Sequence, residues 1–414
     1  MFDRKIPPLQ RSMKFQVRLV SFSVIAIIGG IATLWLILQW NNTQYPRQII
    51  IKEKDLVYSV SQEDEHGVSY TQSSRETLDF SATKCQMENC FDIQKCIHGF
   101  KVYVYPFANG ERVSVNYAKI IRVIKRSVYY TDNPNEACLF ISSYDTTDQD
   151  KLSKDYVRDL EQKISNLPYW NKGRNHVIFN LYSGTWPDYK ETLDINIGQA
   201  ILVKASFNAQ HYRPNFDISF PLFAQDQALF SEGNLPHSDK VFPVLKKYTL
   251  AFKGKRYLSG IGGESRASLH HIHNNKDIIM LTTCKHGRNW KDMKDGRCDD
   301  DNELYDRYDY DELMGNATFC LIPRGRRLAS YRFLEALQSG CIPVLLSNGW
   351  ILPFADKVDW QKAAVIADER LLTLIPTIIR EFSHEEVLKM KQQVLFLWNA
   401  YFSSVDKILH TVFK

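Results

Sequence analysis

With 414 residues, the chain is long enough for two α/β domains with substantial cores. A formal net charge of +5 is too small to imply a nucleic-acid partner. No internal repeat or low-complexity tract runs through it.

Residues 1–18 read as a cytosolic tail. Arg4, Lys5, Arg11, Lys14 and Arg18 stand there against Asp3, and basic residues before a membrane span hold that flank in the cytosol. Leu19–Leu38 then runs for twenty residues without a charge, the length a helix needs to cross a bilayer. A cleaved signal peptide is the alternative, but its apolar core is usually about 7 to 15 residues and ends in small side chains. Trp35 to Trp40 is bulky instead, and tryptophans suit the membrane interface. The expectation is a signal anchor at 19–40, single-pass type II, with the body in the lumen. Residues 41–84 are polar, rich in Ser, Gln and Glu, and read as a flexible luminal stem. Of two N-glycosylation sequons, Asn41–Thr43 lies almost against the membrane, so Asn316–Thr318 is the better site.

A first globular domain is expected at 85–245. Strand-like runs at Lys101–Tyr105, Cys138–Tyr144, His176–Leu181, Ala200–Ala205 and Asp217–Phe220 alternate with helical intervals such as Asn116–Ser127 and Tyr156–Ile164. Such alternation makes a parallel sheet covered on both faces. A polar, proline-bearing segment, Asp226–Pro243, leads to a second alternation over 246–400, beginning at Tyr248–Lys253 and including Asp277–Leu281 and Ala363–Ala367. A final helix around Glu385–Val412, whose end is 401–414, is expected to cross back onto the first domain.

The chain is organised around Phe319–Phe354. Phe319–Ile322 reads as a buried strand, Arg324, Gly325, Arg326 and Arg327 crowd the turn after it, and Ser330 is a good N-cap for the helix that follows. Leu334 and Leu337 would face the sheet, Gly340 would close the helix, and Cys341–Leu346 would make the next strand. Ligands of open parallel sheets sit beyond the carboxyl ends of the strands, and arginine forks there suit a diphosphate. Arg332 is close enough to the helix start to join that anion, and Glu335 is placed to accept ribose hydroxyls. Diphosphate and ribose together suggest a nucleotide sugar.

Phe319–Phe354, FKVYVYP (Phe100–Pro106), GRNHVIFNLYSGTWPDY (Gly173–Tyr189), FKGKRYLSGIG (Phe252–Gly262) and TCKHGRNW (Thr283–Trp290) occur in one order along the chain. Together they resemble the exostosin family, the glycosyltransferase family 47 domain of heparan sulfate polymerases. The resemblance runs from about Cys85 to Phe402 and is nearest to the glucuronyl-transferring exostosin. It implies a GT-B fold, two Rossmann-like domains facing a cleft. It also implies an inverting transferase in the Golgi or endoplasmic reticulum membrane that adds β1,4-glucuronic acid from UDP-glucuronic acid to N-acetylglucosamine-terminated heparan sulfate. All eight cysteines lie between Cys85 and Cys341, as a luminal body requires. Nearness and the resemblance favour Cys85 with Cys90, Cys96 with Cys138, Cys284 with Cys298, and Cys320 with Cys341. A zinc cluster is the rival, but Cys85, Cys90 and Cys96 lack its short paired spacing.

Inverting transfer needs one carboxylate base. Asp145, Asp148 and Asp150 follow the strand ending at Tyr144, where a parallel sheet opens to its cleft; the resemblance puts Asp148 first. The leaving nucleoside diphosphate needs a metal or fixed cations. Arg326 and Arg332 would be joined by Arg266, which follows the glycine-bearing turn Ser259–Gly263 and matches a family arginine, with Lys253 and Lys255 as weaker candidates. Tyr305 and His286 are candidates to border the uracil. Asp299, Asp300 and Asp301 form a DxD pattern, the metal-binding device of another glycosyltransferase fold, but they follow a polar stretch rather than an apolar strand. His270, His271 and His273 cannot all share one helical face. No cofactor and no required metal are expected. Full-length heparan polymerases of the family continue into a second transferase domain, whereas this chain ends at Lys414. An exostosin partner supplying N-acetylglucosamine transfer is therefore expected. The rival readings are a catalytically silent subunit that stabilises or localises such a partner, and a related transferase for another β-linked glycan.

Overall fold

The computed structural model describes residues 85–107, 110–231, 238–287 and 289–414. The tail, anchor, stem and Asn41 sequon lie outside them. Among the described residues no helix is long and apolar enough to cross a membrane.

Among the described residues eleven strands form two sheets, and every pairing in both is parallel. The first contains β1 (Val102–Val104), β2 (Tyr130–Thr131), β3 (Leu139–Ile141), β4 (His176–Asn180), β5 (Ile201–Lys204) and β6 (Ile218–Ser219), in the order β2-β1-β3-β4-β5-β6. The second contains β7 (Tyr248–Lys255), β8 (Ile278–Thr283), β9 (Ala317–Pro323), β10 (Ile342–Leu346) and β11 (Val365–Ile366), in the order β11-β10-β9-β7-β8. Each is a Rossmann-like lobe. Residues on β4, β5, β9 and β10 are buried along their whole length, as parallel strands covered on both faces must be.

Helix α1 (Val115–Arg126) starts where Ser114 accepts the Tyr117 N–H. Its apolar positions Tyr117, Ile120, Ile121 and Ile124 recur at helical spacing, and all are buried. The strand β2 has two residues and too little pattern to be seen in sequence. The expected helix at 156–164 is Leu160–Ser165 instead, because Asp159 takes φ 54°, where a right-handed helix cannot continue toward Tyr156.

Helix α2 (Arg332–Gln338) connects β9 to β10 and buries Leu334 and Leu337. Gly340 turns the chain at φ 66°, a conformation glycine adopts without strain. The cysteines form four disulfides, Cys85–Cys90, Cys96–Cys138, Cys284–Cys298 and Cys320–Cys341. The last ties β9 to the residue before β10.

The final helix is broken. Helix α3 (His384–Leu397) passes through a π-helical turn at Trp398–Phe402, and Ser404, in extended conformation, caps a separate α4 (Val405–Val412). The break sends α4 back onto the first lobe. Val405 and Asp406 donate to the carbonyls of Ala228 and Leu229 at 2.9 and 3.0 Å, and the Phe413 ring meets Phe100 and Tyr129.

At the break, Phe402 is fully buried beside Phe333, Phe354 and Trp360. Phe354 in turn packs on Phe220 of the first lobe, so one core spans both sheets. The loop after β10 seals it by backbone bonds from Ile351 to Phe207 at 2.9 Å and from Phe354 to Ser219 at 2.8 Å. Truncating Phe402→Ala should cost about 3–5 kcal/mol, read by urea unfolding as one transition for both lobes. A loss below roughly 1 kcal/mol would mean that the lobes do not depend on this ring.

Candidate functional site

The strands of the second lobe end in a basic, glycine-bearing surface. A side chain at Gly254, on β7, would collide with the Arg332 guanidinium. That guanidinium donates through Nε and Nη2 to the Lys253 carbonyl at 3.1 and 2.9 Å and lies 5.0 Å from the Phe252 ring centre. Arg266 is buried; its Nη1 donates to the Lys255 carbonyl at 2.9 Å and its Nε to the Arg324 carbonyl at 3.2 Å. Burial brings its pKa down to about 10, with the neighbouring Tyr257 opposing and the Arg332 charge reinforcing the shift. Arg326 donates to the Tyr189 hydroxyl at 2.7 Å and lies 4.8 Å from the Tyr257 ring centre. His286 packs edge-on against the same Tyr257, and burial, followed by the charges of Arg326, Lys255 and Arg266, lowers its pKa.

Arg266, Arg326 and Arg332 are thus held by carbonyls, a hydroxyl and ring faces. Among the described residues none of the three is in an ion pair. Their charge is concentrated and uncompensated, which is the condition for taking an anion with two or more oxygens.

The other candidates of this lobe have the following partners. Glu335 is half-buried and accepts the Tyr310 hydroxyl. Lys253 is turned away from the cluster, with its ammonium on the Tyr308 carbonyl and 4.3 Å from the Tyr305 ring centre. Tyr305 therefore offers its ring to that lysine. Ser330 accepts the Arg332 N–H at 3.3 Å, but the helix starts one residue later than an N-cap at Ser330 requires, after a helical Tyr331. The turn arginines also divide. Arg326 and Arg327 both reach the Tyr189 ring of the first lobe, at 5.2 and 5.1 Å, but Arg327 is also bound there by the Ser183 and Gly184 carbonyls and by Asp150 at 2.7, 2.9 and 2.9 Å.

The three aspartates after β3 have separate tasks. Asp145 is buried and accepts the Ser114 N–H at 2.7 Å, the Thr147 N–H at 2.9 Å and the Thr147 hydroxyl at 2.5 Å. It caps the loop and has little capacity for a proton-transfer role. Asp150 is the partner of Arg327. Asp148 is buried at the lobe junction, and its bonded partners among the described residues are the Asp150 N–H, at 2.9 Å, and the Ser153 hydroxyl. Burial raises its pKa, against those two bonds and the Arg327 charge, while Asp150 adds to the rise. A carboxylate held in reserve in this way is suited to accept a proton.

Several residues of this junction carry no functional reading in the sequence. Tyr182 and Tyr331, from opposite lobes, are hydrogen-bonded through their hydroxyls, and both feel the Asp148 charge. Glu191 accepts the Leu328 N–H at 3.2 Å, and the Lys204 ammonium, brought down to about 8 by burial, lies 3.8 Å from its carboxylate. Tyr182 and Tyr189 stand in the motif Gly173–Tyr189, which was the available signal. Nothing local marks Glu191 or Lys204.

The DxD triplet lies in the first turn of helix Cys298–Asp306. Asp301 pairs with Arg256 at 2.9 Å and Arg297 at 3.4 Å, and Asp299 pairs with Lys294 at 2.7 Å. His270 faces Arg297, and His273 accepts the Met280 N–H. Asn316 ends helix Tyr310–Gly315 with its amide on the Glu312 carbonyl at 2.9 Å.

The exostosin GT47 domain matches residues 96–382. The chain is 55% identical over 336 residues to Exostosin-1a of Danio rerio, covering 80% of this chain and 46% of that protein. It is 53% identical over 336 residues to Exostosin-1 of Bos taurus and of Mus musculus, covering 81% of this chain and 45% of each of those proteins. The chain therefore spans a little under half the length of these relatives. A solved structure of AviGT4, a glycosyltransferase involved in Avilamycin A biosynthesis, overlaps 76% of this chain and 97% of its own at 12% identity and a TM-score of 0.33.

Arg327→Gln removes a positive charge that favours the ionised form of Asp148, so it should move the Asp148 titration to higher pH. Carboxyl chemical shifts of labelled aspartate report this directly. An unmoved midpoint would show that the arginine charge is not felt there.

Proposed function

The chain belongs to the exostosin family of glycosyltransferases, family 47, and from that premise we propose that it transfers glucuronic acid from UDP-glucuronic acid to the terminal N-acetylglucosamine of a heparan sulfate chain, inverting the anomeric centre to form a β1,4 bond. The observation that carries this reading is the uncompensated trio Arg266, Arg326 and Arg332 facing a lobe junction that holds Asp148. A diphosphate on the trio would point its sugar toward that junction. Asp148 would take the proton of the acceptor hydroxyl as that oxygen bonds to the anomeric carbon from the side opposite the diphosphate. The bond from carbon to diphosphate oxygen breaks, and the electron pair leaves on UDP, whose added charge the guanidiniums stabilise. Glu335, freed from Tyr310 or sharing with it, would accept the ribose hydroxyls.

Fixed cations make a divalent metal unnecessary in this scheme. The two Rossmann-like lobes and the helix that crosses back between them support the GT-B reading of the fold. The apolar run at 19–38 supports a type II protein of the Golgi or endoplasmic reticulum membrane. The family resemblance supports a heteromer with an exostosin that adds N-acetylglucosamine, and the sequon Asn316–Thr318 supports glycosylation at Asn316.

The deciding assay is glucuronyl transfer by the full chain to an N-acetylglucosamine-terminated heparosan primer, with EDTA, alone and with a co-expressed exostosin. Transfer in EDTA is expected. Transfer by the pair that survives both Glu335→Ala and Asp148→Asn in this chain would make it a stabilising subunit instead. Asp148→Asn should lower the transfer rate by roughly 10²–10⁴-fold while UDP binding persists; full activity would move the base elsewhere. Glu335→Ala should weaken UDP binding by about tenfold or more in calorimetry, and an unchanged affinity would remove its ribose role.

A further inference from the structure

We propose that α1 carries a second binding site on the first lobe, a groove for the anionic body of the glycan whose end is being extended. A cleft of about 390 Å³ runs beside this helix. Its floor is apolar, made by Phe107, Val113 and Ile121, and its rim is basic, made by Arg122, Lys125 and Arg126. The three cations are exposed. Lys125 lies 5.7 Å from the Phe107 ring centre and Arg126 lies 5.2 Å from that of Phe230. Among the described residues no carboxylate pairs with any of them; Glu111, in the adjoining loop, is taken by Lys163 at 2.7 Å. Other surface cations are paired, as Lys389 is with Glu385 and Lys362 with Asp359. Here the stems lie on aromatic and aliphatic surface and the charged heads face water unneutralised.

That combination selects the ligand chemistry. Sugar rings bring C–H faces to an apolar floor, and uronate carboxylates recurring along a chain meet recurring cations. Position supports the same choice over a lipid surface. The first residue before α1, Ser114, donates its N–H to Asp145 and sets its hydroxyl 3.4 Å from that of Thr147, the neighbour of Asp148. The helix therefore begins at the proposed base and leads away from it. Twelve helical residues extend about 18 Å, so a chain ending at Asp148 and following the helix reaches the cations several sugars later. The identity of the glycan as a uronate polymer rests on the proposed function; the groove itself rests on α1.

The test measures binding of the full chain to a long heparosan oligosaccharide and to the shortest N-acetylglucosamine-terminated acceptor, at low and high salt. In the triple variant Arg122→Gln, Lys125→Gln, Arg126→Gln, affinity for the long chain should fall by about tenfold at low salt, with the short acceptor unaffected. Raising salt should erase the wild-type preference for length, since exposed charges are screened. The single variants Arg122→Gln and Lys125→Gln, with unfolding midpoints measured alongside, should each give a smaller loss, which keeps the test valid if the triple variant folds poorly. Unchanged long-chain affinity, or an equal loss for both lengths, overturns the groove. So does a triple variant that releases phosphatidylserine vesicles yet keeps heparosan. Length-dependent binding that the triple variant loses, in a protein that transfers no glucuronate, leaves the groove standing and removes the proposed reaction. Transfer with a length preference that the triple variant retains does the reverse.

Discussion

The structure depends on an apolar seam between its lobes. Phe333, Trp360 and Phe402 gather on the second sheet, Phe354 bridges, and Phe220 and Phe179 continue the rings into the first. Because these rings are buried together, the loop from Gly349 to Phe354 must lie against β5 and β6, and its backbone bonds to Phe207 and Ser219 follow. That fixed seam places the turn after β9 against the first lobe. Arg327, Leu328 and Ala329 can then each find a partner across the junction, in Asp150, Glu191 and Ser206. Without the apolar contact these polar bonds would hold the lobes poorly, since a neutral one is worth only about 0.5–1.5 kcal/mol net and one to a charged group about 1.5–3 kcal/mol.

Arginine serves two opposite purposes in this molecule, and its neighbours decide which. Arg213 and Arg256 are paired with carboxylates, Asp217 for the one and Asp295 with Asp301 for the other. Those charges are cancelled locally and hold chain segments together. Arg266, Arg326 and Arg332 are equally well fixed, but by carbonyls and ring faces that orient a guanidinium without neutralising it. In a partly desolvated place the uncancelled field is stronger than at an open surface. The sharing of Phe252 by Arg266 and Arg332, and of Tyr257 by Arg266 and Arg326, is how three like charges are kept close.

The aspartate loop shows the same economy of neighbours. Three acidic residues within six positions look alike as a sequence, yet Asp145 is saturated by Ser114 and Thr147, Asp150 is bound to Arg327, and Asp148 alone is buried with few donors. The difference arises from α1, which delivers Ser114 to Asp145, and from the second lobe, which delivers Arg327 to Asp150. Of the three, the surrounding elements leave Asp148 without an ion pair and with fewer donors than Asp145.

What the sequence by itself determined are the features written in local order. Strand and helix periodicity, Gly340 as a turn, and the basic run Arg324–Arg327 all depend on residues a few positions apart. The two parallel sheets follow from those. Only the tertiary structure decided which arginine keeps its charge unpaired and which is bound to Asp150, because Arg326 and Arg327 are adjacent and both reach the Tyr189 ring of the first lobe. It also decided that Lys253 turns to Tyr308, that the last helix breaks at Phe402, and that Glu191 and Lys204 meet beneath the turn. Each of these depends on a partner far away in the chain. Such contacts arise from burial and from satisfying polar groups once the lobes have docked, and no local spacing encodes them.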